Sequence, residues 1–245
     1  MKPSLSIVIP AFNEEGNLES AVGSVLTALD GHVNSYEILI FDDGSSDATG
    51  KIADRLAALN SSIKAIHNGI NRGLGYSLRR GFDLASKDYV TWCAGDNPMF
   101  QESLSEMFAK IGQADVISSY VANPEFRSAG RRILSQTYVG LFNLLFGLKL
   151  RYYNGFAIYR TDLVKKFRTS TQGFSFLAEL LILLVKSGYT RLEIPTYHRL
   201  RAHGKSKAFN LRNLWDIQKT LVRLIGMVYF KTGKKNALPS DVPVA

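Results

Sequence analysis

Cysteine is almost missing from this sequence, since Cys93 is the only one in 245 residues. A single cysteine excludes an internal disulfide framework and a cluster of thiolate metal ligands, and it fits a reducing compartment. Long apolar runs are missing too, because none reaches the roughly 20 residues that a membrane-spanning helix needs. No signal-peptide pattern follows Met1. We therefore predict a cytoplasmic protein that is soluble or bound to the surface of a membrane.

Low-complexity tracts, repeats and long linkers are also missing, since the 20 glycines and 7 prolines are scattered. Positive charge is in excess, with 30 Lys and Arg against 21 Asp and Glu and a formal net charge of +9. A basic chain can simply have a solvated surface, or it can bind nucleic acid, anionic lipid or phosphorylated substrates. We expect no nucleic-acid partner, because the cations cluster beside acidic strand ends and form no recognised reading module.

Strand-like and helix-like patterns alternate over residues 5–93. Continuous apolar runs such as Leu5–Ile9 are typical of strands buried on both faces of a sheet. Segments with helical spacing lie between them, and we expect Asn13 to cap the first helix and Ser45 or Ser46 to begin the second. The order predicts an α/β fold with a mostly parallel sheet and ligands beyond the carboxyl ends of its strands. The predicted strands are 5–9, 37–41, 63–67 and 89–93, and the third helix is 73–85.

The second half of the chain is dominated by apolar helices. The stretch 133–148 is apolar on almost every face and is bracketed by Arg131, Arg132 and Lys149. It is too short to span a bilayer, so it suits either the membrane interface, with its cations near anionic head groups, or the protein core or a dimer interface. The further predicted elements are a helix at 174–185, a strand at 192–197 and an amphipathic helix at 210–230.

Polar segments follow three of the predicted strands. Asp42-Asp43-Gly44-Ser45-Ser46-Asp47 ends the second strand, and three such close carboxylates need cations, donors or solvent nearby. Carboxylates there can accept hydrogen bonds from a base or a ribose, but an ordinary strand-to-helix turn explains them about equally well. Pro10–Glu14 is either a neighbouring part of such a site or a helix start. Asp96 follows the fourth strand and is either a ligand for a divalent metal or a solvated loop residue.

Together these segments resemble family 2 glycosyltransferases with the GT-A fold, and more narrowly their polyprenyl-phosphate branch, typified by dolichyl-phosphate mannose synthases. The match covers roughly residues 4 to 230. The matching segments are Ser6–Glu15, Ile40–Asp47, Asn71–Gly81, Asn154–Arg160 and Arg201–Lys207.

The resemblance implies which residues form the site. Pro10, Phe12 and Glu14 would line the base pocket, with Asp42 and Asp43 on base and ribose. The residues that would carry the chemistry and gather the donor diphosphate and the acceptor phosphate are Asp96, Arg131, Arg201, Ser206 and Lys207.

Two departures from the family pattern affect the phosphate groups. The family's Asp-x-Asp metal signature is here Ala94-Gly95-Asp96, which leaves Asp96 as the expected ligand of Mg²⁺ or Mn²⁺. Losing one carboxylate weakens the attraction for a cation. His203 stands where dolichyl-phosphate mannose synthases of the archaeal type have Arg. A neutral imidazole attracts phosphate less than a guanidinium does.

The resemblance predicts an inverting glycosyltransferase at the cytoplasmic face of a membrane. It would move one sugar from GDP-mannose or a UDP-sugar to a polyprenyl phosphate. The alternatives are a transferase acting on a glycan or small-molecule hydroxyl, and a degenerate nucleotide-sugar-binding protein without activity. The expected organisation is a nucleotide-sugar-binding half at 1–120, an acceptor-side half of the same GT-A domain with interfacial, membrane-facing helices at 121–232, and a tail at 233–245.

Overall fold

The computed structural model describes residues 2–96, 99–167, 169, 175–198 and 220–230. It contains a seven-stranded sheet with the order β3-β2-β1-β4-β6-β5-β7. The strands are β1 (Ser4–Ala11), β2 (Ser35–Asp42), β3 (Ile63–His67), β4 (Tyr89–Trp92), β5 (Val116–Val121), β6 (Ala157–Arg160) and β7 (Arg191–Thr196). The helices are α1 (Leu18–Leu29), α2 (Thr49–Leu59), α3 (Leu74–Leu84), α4 (Gln101–Phe108), α5 (Ala129–Phe146), α6 (Thr161–Lys166) and α7 (Phe176–Lys186), and residues 220–230 are also helical.

Strand direction brings most of the strand ends together. β1 pairs in parallel with β2 and β4, and β2 pairs in parallel with β3. β6 runs antiparallel to both β4 and β5, and β5 pairs in parallel with β7. The six strands other than β6 therefore end at one edge of the sheet, which we call the carboxyl edge. Open α/β sheets bind their ligands at this edge.

Helices cover both faces of the sheet, and each face has its own apolar core. On one face, α1, α2 and α4 pack through residues such as Val22, Ala53 and Phe108. On the other, α3, α5, α6 and α7 pack with residues 220–230 around Phe82, Phe142 and Leu180. The predicted α/β GT-A-like class, with a mostly parallel sheet between helices, is confirmed.

The two predicted helix starts are wrong. α1 begins at Leu18, with Asn17 at its N-cap, and α2 begins at Thr49. Asn13 instead has a φ of 55°, a left-handed conformation that Asn tolerates better than most residues. Its side-chain oxygen accepts the Ser46 N–H at 2.9 Å, so Asn13 joins two loops rather than capping a helix.

Two strands of the sheet were not predicted. β5 contains Ser118 and Ser119 at its centre, and this polar pair hides the strand pattern although both residues are only 3% exposed. β6 is four residues long, which is too short for a periodic signal. Together with β7, these two strands form the β6-β5-β7 side of the sheet, where the sequence predicts a single strand.

Helix α5 fits both alternatives that its sequence leaves open. Phe142 and Phe146 are fully buried in the core. Ile133 and Leu144, in contrast, are 64% and 82% exposed. Among the residues that the structure describes, no helix is long and apolar enough to cross a membrane. The predicted helix at 210–230 lies partly outside the described residues, and its described part, 220–230, is helical.

Candidate active site

Asp42, the last residue of β2, is held in place by two neighbours at the carboxyl edge. Its Oδ1 accepts the Ser45 N–H at 3.0 Å, and its Oδ2 lies 3.0 Å from Nδ1 of His67, the last residue of β3. Burial opposes ionisation of Asp42, but the hydrogen bonds from Ser45 and His67 outweigh it and lower the pKa of the carboxyl group. Asp42 is therefore an anion at neutral pH in a defined orientation.

His67 bridges two carboxylates, because its Nε2 lies 3.1 Å from Oδ1 of Asp54 in α2. The hydrogen bonds to Asp42 and Asp54 raise the pKa of the imidazole and outweigh the opposing effect of burial. When it is protonated, the imidazolium offsets the repulsion between the carboxylates of Asp42 and Asp54.

Asp43 holds the loop that leads into α3. Its Oδ1 accepts the Arg72 N–H at 3.0 Å and the Asn68 side-chain amide at 2.8 Å, and its Oδ2 accepts the Gly73 N–H at 2.7 Å. The hydroxyl of Ser77 lies 3.4 Å from Oδ1. Asp43 is 4% exposed, so its main visible role is to fold the Asn71–Gly81 segment against the end of β2.

The loop that Asp43 holds also requires a glycine at position 44. Its φ is 73°, and a Cβ built at this position would lie 2.5 Å from the carbonyl carbon of Ile70. Only glycine combines this conformation with such a close approach of two backbones. Ile40–Asp47 and Asn71–Gly81, which are separate in the sequence, therefore form one structural unit.

The segment after β1 lies against the beginning of α2. The Glu14 N–H donates to the Thr49 hydroxyl at 2.8 Å, and the Glu15 carboxylate accepts the Ala48 N–H at 2.9 Å. Asp47 accepts the Glu15 N–H at 3.2 Å. These contacts bring Pro10, Phe12 and Glu14, all half-buried, to the same edge as Asp42 and Asp43.

Asp96 follows β4 and lies beside the end of β1. A Cβ on the preceding Gly95 would be 3.1 Å from the carbonyl oxygen of Pro10. The loop after β4 therefore lies very close to the end of β1. Within the described ranges, no three His, Cys, Asp or Glu side chains are arranged to hold a metal ion. The single carboxylate still fits a divalent cation, because Mg²⁺ is usually bound by one or two carboxylates together with substrate phosphates.

The residues predicted to gather the phosphates fall into two groups. Arg131 lies in the first turn of α5 and is exposed. Arg201, Ser206 and Lys207, like His203, lie outside the described residues, so their positions stay predictions. The structure thus brings Pro10 to Glu14, Asp42, Asp43 and Asp96 to one edge and does not test the roles assigned to them.

Three polar residues of this edge were missed in the sequence. His67 ends the predicted strand 63–67, and this position at a strand end was the available signal for it. Asn123 and His198 follow β5 and β7, and Asn123 contacts His198. Asn123 has no comparable signal, because the strand before it was not predicted.

A family model described as "Glycosyl transferase family 2" matches residues 6–168. The polyprenol monophosphomannose synthase of Mycolicibacterium smegmatis is 28% identical, over 91% of this chain and 90% of its own length. The dolichol-phosphate mannosyltransferase of Pyrococcus furiosus is 29% identical, over 83% of this chain and 58% of its own length. The chain spans from 32% to 90% of the length of such curated relatives.

A structural comparison finds the same fold in a solved enzyme. Glucosyl-3-phosphoglycerate synthase of Mycobacterium tuberculosis, in a crystal structure with Mg²⁺ and UDP, superposes with a TM-score of 0.68. The match covers 91% of this chain and 80% of that one, at 18% sequence identity. Other crystal structures of that enzyme contain Mn²⁺ with UDP or UDP-glucose.

Proposed function

The chain belongs to glycosyl transferase family 2 and is a glycosyltransferase, and from this premise we propose that it moves one sugar, with inversion, from a nucleotide-diphosphate sugar to a polyprenyl phosphate. The donor is GDP-mannose or a UDP-sugar. The relatives named above are a polyprenol monophosphomannose synthase and a dolichol-phosphate mannosyltransferase. The observation that carries the lipid part of the proposal is helix α5, which leaves an apolar face and two arginines exposed next to the carboxyl edge.

Asp42 is the better placed of the two strand-end aspartates for contact with the donor. A carboxylate has about four acceptor positions, and among the described residues Asp42 accepts hydrogen bonds from Ser45 and His67. Asp43 already accepts from three residues at 3.0 Å or less. We assign base and ribose contacts to both, with Asp43 acting mainly through the loop that it holds. Pro10, Phe12 and Glu14 line the base pocket.

Asp96 is the residue that would hold Mg²⁺ or Mn²⁺, together with oxygens of the donor diphosphate. When bound, the cation supplies charge neutralisation for the departing nucleoside diphosphate. Because Ala94 provides no second carboxylate, the remaining neutralisation comes from cationic side chains. We assign this to Arg131, Arg201 and Lys207, with the neutral Ser206 hydroxyl as a hydrogen-bond donor to a phosphate oxygen.

Arg131 and Arg132 are unusually placed for a helix. They lie in the first turns of α5, which has no acidic residue in its first turn, although the positive end of the helix dipole disfavours cations there by about 0.3–1 kcal/mol each. A bound phosphate would reverse that cost, since anions are stabilised at helix N-termini. This supports a phosphate-binding role for Arg131.

The reaction needs no dedicated general base. A phosphate oxygen of the acceptor, already ionised near neutral pH, attacks the anomeric carbon. The bond from that carbon to the diphosphate oxygen breaks, and the nucleoside diphosphate leaves with the electron pair. The protein contributes by aligning the two substrates and by stabilising the charge on the leaving group.

The acceptor side suits a substrate that is anchored in a lipid bilayer. The exposed apolar residues of α5 are spaced so that they share one side of the helix, and residues of the C-terminal helical segment lie beside α5, where the Tyr229 hydroxyl donates to the Leu145 carbonyl. A helix with an apolar face and flanking cations binds in the membrane interface. The exposed apolar residues are Ile133, Leu134, Leu141 and Leu144 of α5, and Val222 and Tyr229 of the segment 220–230.

Radiolabelled transfer tests the proposal. The protein is incubated with Mn²⁺ and labelled GDP-mannose, UDP-glucose or UDP-N-acetylglucosamine, with vesicles that contain polyprenyl phosphate, and in parallel with soluble hydroxyl and phosphate acceptors. We expect label in the lipid phase with one donor, and its loss in Asp96→Ala but not in Asp30→Ala, which changes an exposed residue of the α1 C-terminus. Label that enters only a water-soluble product would overturn the lipid acceptor.

A binding screen separates donor choice from transfer. A nucleotide that binds the folded protein raises its melting temperature in proportion to RT ln(1 + [L]/Kd). We expect a shift with either GDP or UDP, larger with Mn²⁺ than without it. Failure of both nucleotides to shift the melting temperature would contradict the assigned donor site.

A further inference from the structure

We propose that Asn123 is a positioning residue that joins the loop carrying Asp96 to the segment that leads to Arg201. The inference rests on the proposed function, because it concerns the groups that we assign to the donor diphosphate and acceptor phosphate. Neither the sequence pattern nor the family resemblance singles out Asn123. The structure does so through its contacts with His198.

Asn123 extends the pairing of β5 and β7 beyond the ends of both strands. The last backbone contact between them is the Ala122 N–H with the Thr196 carbonyl at 2.9 Å. The Asn123 side chain then provides two more hydrogen bonds. Its Nδ2 donates to the His198 carbonyl at 2.7 Å, and its Oδ1 accepts the His198 N–H at 2.9 Å. Both backbone polar groups of His198 are thus bound by one amide side chain.

The loop after Asp96 pairs with the same short stretch of chain. Met99 forms an isolated antiparallel bridge with His198. The Phe100 N–H donates to the Tyr197 carbonyl at 3.1 Å, and the Tyr197 N–H donates to the Ser103 hydroxyl at 2.9 Å. Residues 197–198 are therefore held from the β5 side by Asn123 and from the β4 side by residues 99–103.

We call the contacts among Asn123, residues 197–198 and residues 99–103 the junction. The side chain of His198 keeps the junction uncharged. Burial and the nearby charge of Arg127 lower the pKa of the imidazole to about 4. Its Nε2 lies 3.2 Å from the Thr196 hydroxyl. A junction that does not change its charge near neutral pH can hold its geometry while anionic substrates bind and leave.

The junction connects the loops that follow the carboxyl ends of β4, β5 and β7. Along the chain, these loops continue to Asp96, Arg131 and Arg201, the residues that we assign to the phosphates. Because catalysis here depends on alignment, a displacement of about 1 Å can reduce a rate by roughly 100-fold. Asn123 fixes the position of His198, and through it residues 197–198, against the loop after Asp96 without contacting substrate itself.

The chain offers a matched control for this contact. Asn143 of α5 holds Leu150 with the same two-bond geometry, since its Nδ2 donates to the Leu150 carbonyl at 2.9 Å and its Oδ1 accepts the Leu150 N–H at 3.0 Å. It also accepts the Tyr153 hydroxyl. Asn143→Ala thus removes an equivalent contact at the other end of α5, where the structure shows no link to the Asp96 loop.

The test compares Asn123→Ala with Asn143→Ala in the full chain. For Asn123→Ala we expect Mn²⁺ binding in the presence of GDP or UDP to weaken at least about tenfold and kcat to fall by roughly 10- to 100-fold. Nucleotide affinity without metal should stay within twofold, because the base side does not contact Asn123 in the structure. Hydrogen exchange in peptides covering 93–103 should be faster. Asn143→Ala should lose stability without any of these changes.

The outcomes separate this proposal from the proposed function. Unchanged exchange over 93–103 and unchanged Mn²⁺ binding in Asn123→Ala would overturn the positioning role, as would equal effects in Asn143→Ala. If the wild type binds neither nucleotide, the proposed function fails, while hydrogen exchange still decides whether Asn123 holds the Asp96 loop. Asn123→Gln, which keeps both the amide donor and the acceptor but displaces them by one methylene, should show a smaller change in the same direction and serves if the alanine variant does not fold.

Discussion

The two sides of the carboxyl edge differ in the contacts that their side chains make. On the base side, around the ends of β1 to β3, the carboxylates of Asp42, Asp43 and Asp47 accept hydrogen bonds from other parts of the chain. On the acceptor side, α5 leaves Ile133 and Leu144 exposed. The base side is therefore held in shape by the protein alone, whereas the acceptor side has groups whose natural partners, in our proposal, are phosphates and lipid.

The largest expected effect is the loss of stability in Asp43→Ala. The change leaves the Arg72 and Gly73 N–H groups and the Asn68 amide without their buried acceptor. These hydrogen bonds are part-buried, and hydrogen bonds to a charged group contribute about 1.5–3 kcal/mol, so we expect the free energy of unfolding in urea to fall by about 3 kcal/mol. Asp30→Ala, at an exposed position, should change it by less than about 0.5 kcal/mol. Equal effects would mean that the base side is not held by its carboxylates.

A second prediction isolates the close approach at Gly44 by comparison with Gly31. Both glycines have a φ of 73°, but a Cβ on Gly31 would meet nothing within 4 Å. Gly31→Ala should therefore show only the conformational cost, about 1–2 kcal/mol. Gly44→Ala should cost about 1–3 kcal/mol more, because its Cβ meets backbone. The two unfolding free energies measured in urea should differ by that amount, and equal losses would show that the loop at Ile70 moves away freely.

The third prediction concerns the acceptor side, where membrane binding should change without a change in stability. Leu144→Glu removes the most exposed apolar side chain of α5. Burying one such side chain contributes about 1.5–3 kcal/mol, so we expect sedimentation with phosphatidylglycerol vesicles to weaken about tenfold or more. Leu59→Glu in α2 is the control, since Leu59 is 79% exposed on a different helix. If both variants lose binding equally, α5 is not the membrane-facing surface.

The smallest expected effect is a pH dependence from His67. Its pKa is raised in the folded protein by Asp42 and Asp54, so its stabilising contribution is complete below the unfolded value of about 6.5 and is lost as the pH rises through the folded value. The difference in melting temperature between wild type and His67→Gln should therefore be larger at about pH 6 than at about pH 9. Asp54→Asn should give a weaker change of the same sign. A difference that grows toward alkaline pH would contradict the charged bridge.

The base side was largely predictable from the sequence. Strand 63–67 was placed at its observed bounds, and Asp42 and Asp43 were placed at the end of a strand. The prediction for β2 works because a buried parallel strand requires a continuous apolar run, and its end is marked by polar residues. The acceptor side was less predictable, because Ser118 and Ser119 are buried polar residues whose environment no local pattern reveals.

The sequence by itself determined the α/β fold, the family and the edge of the sheet where we propose that the donor binds, because periodicity and short polar motifs are local properties of the chain. Only the tertiary structure decided that Asn13 joins two loops, that His67 bridges Asp42 and Asp54, and that Asn123 holds His198. Each of these contacts joins residues from different elements or from the loops that follow different strands. Their partners depend on strand order and register, which a single sequence does not specify.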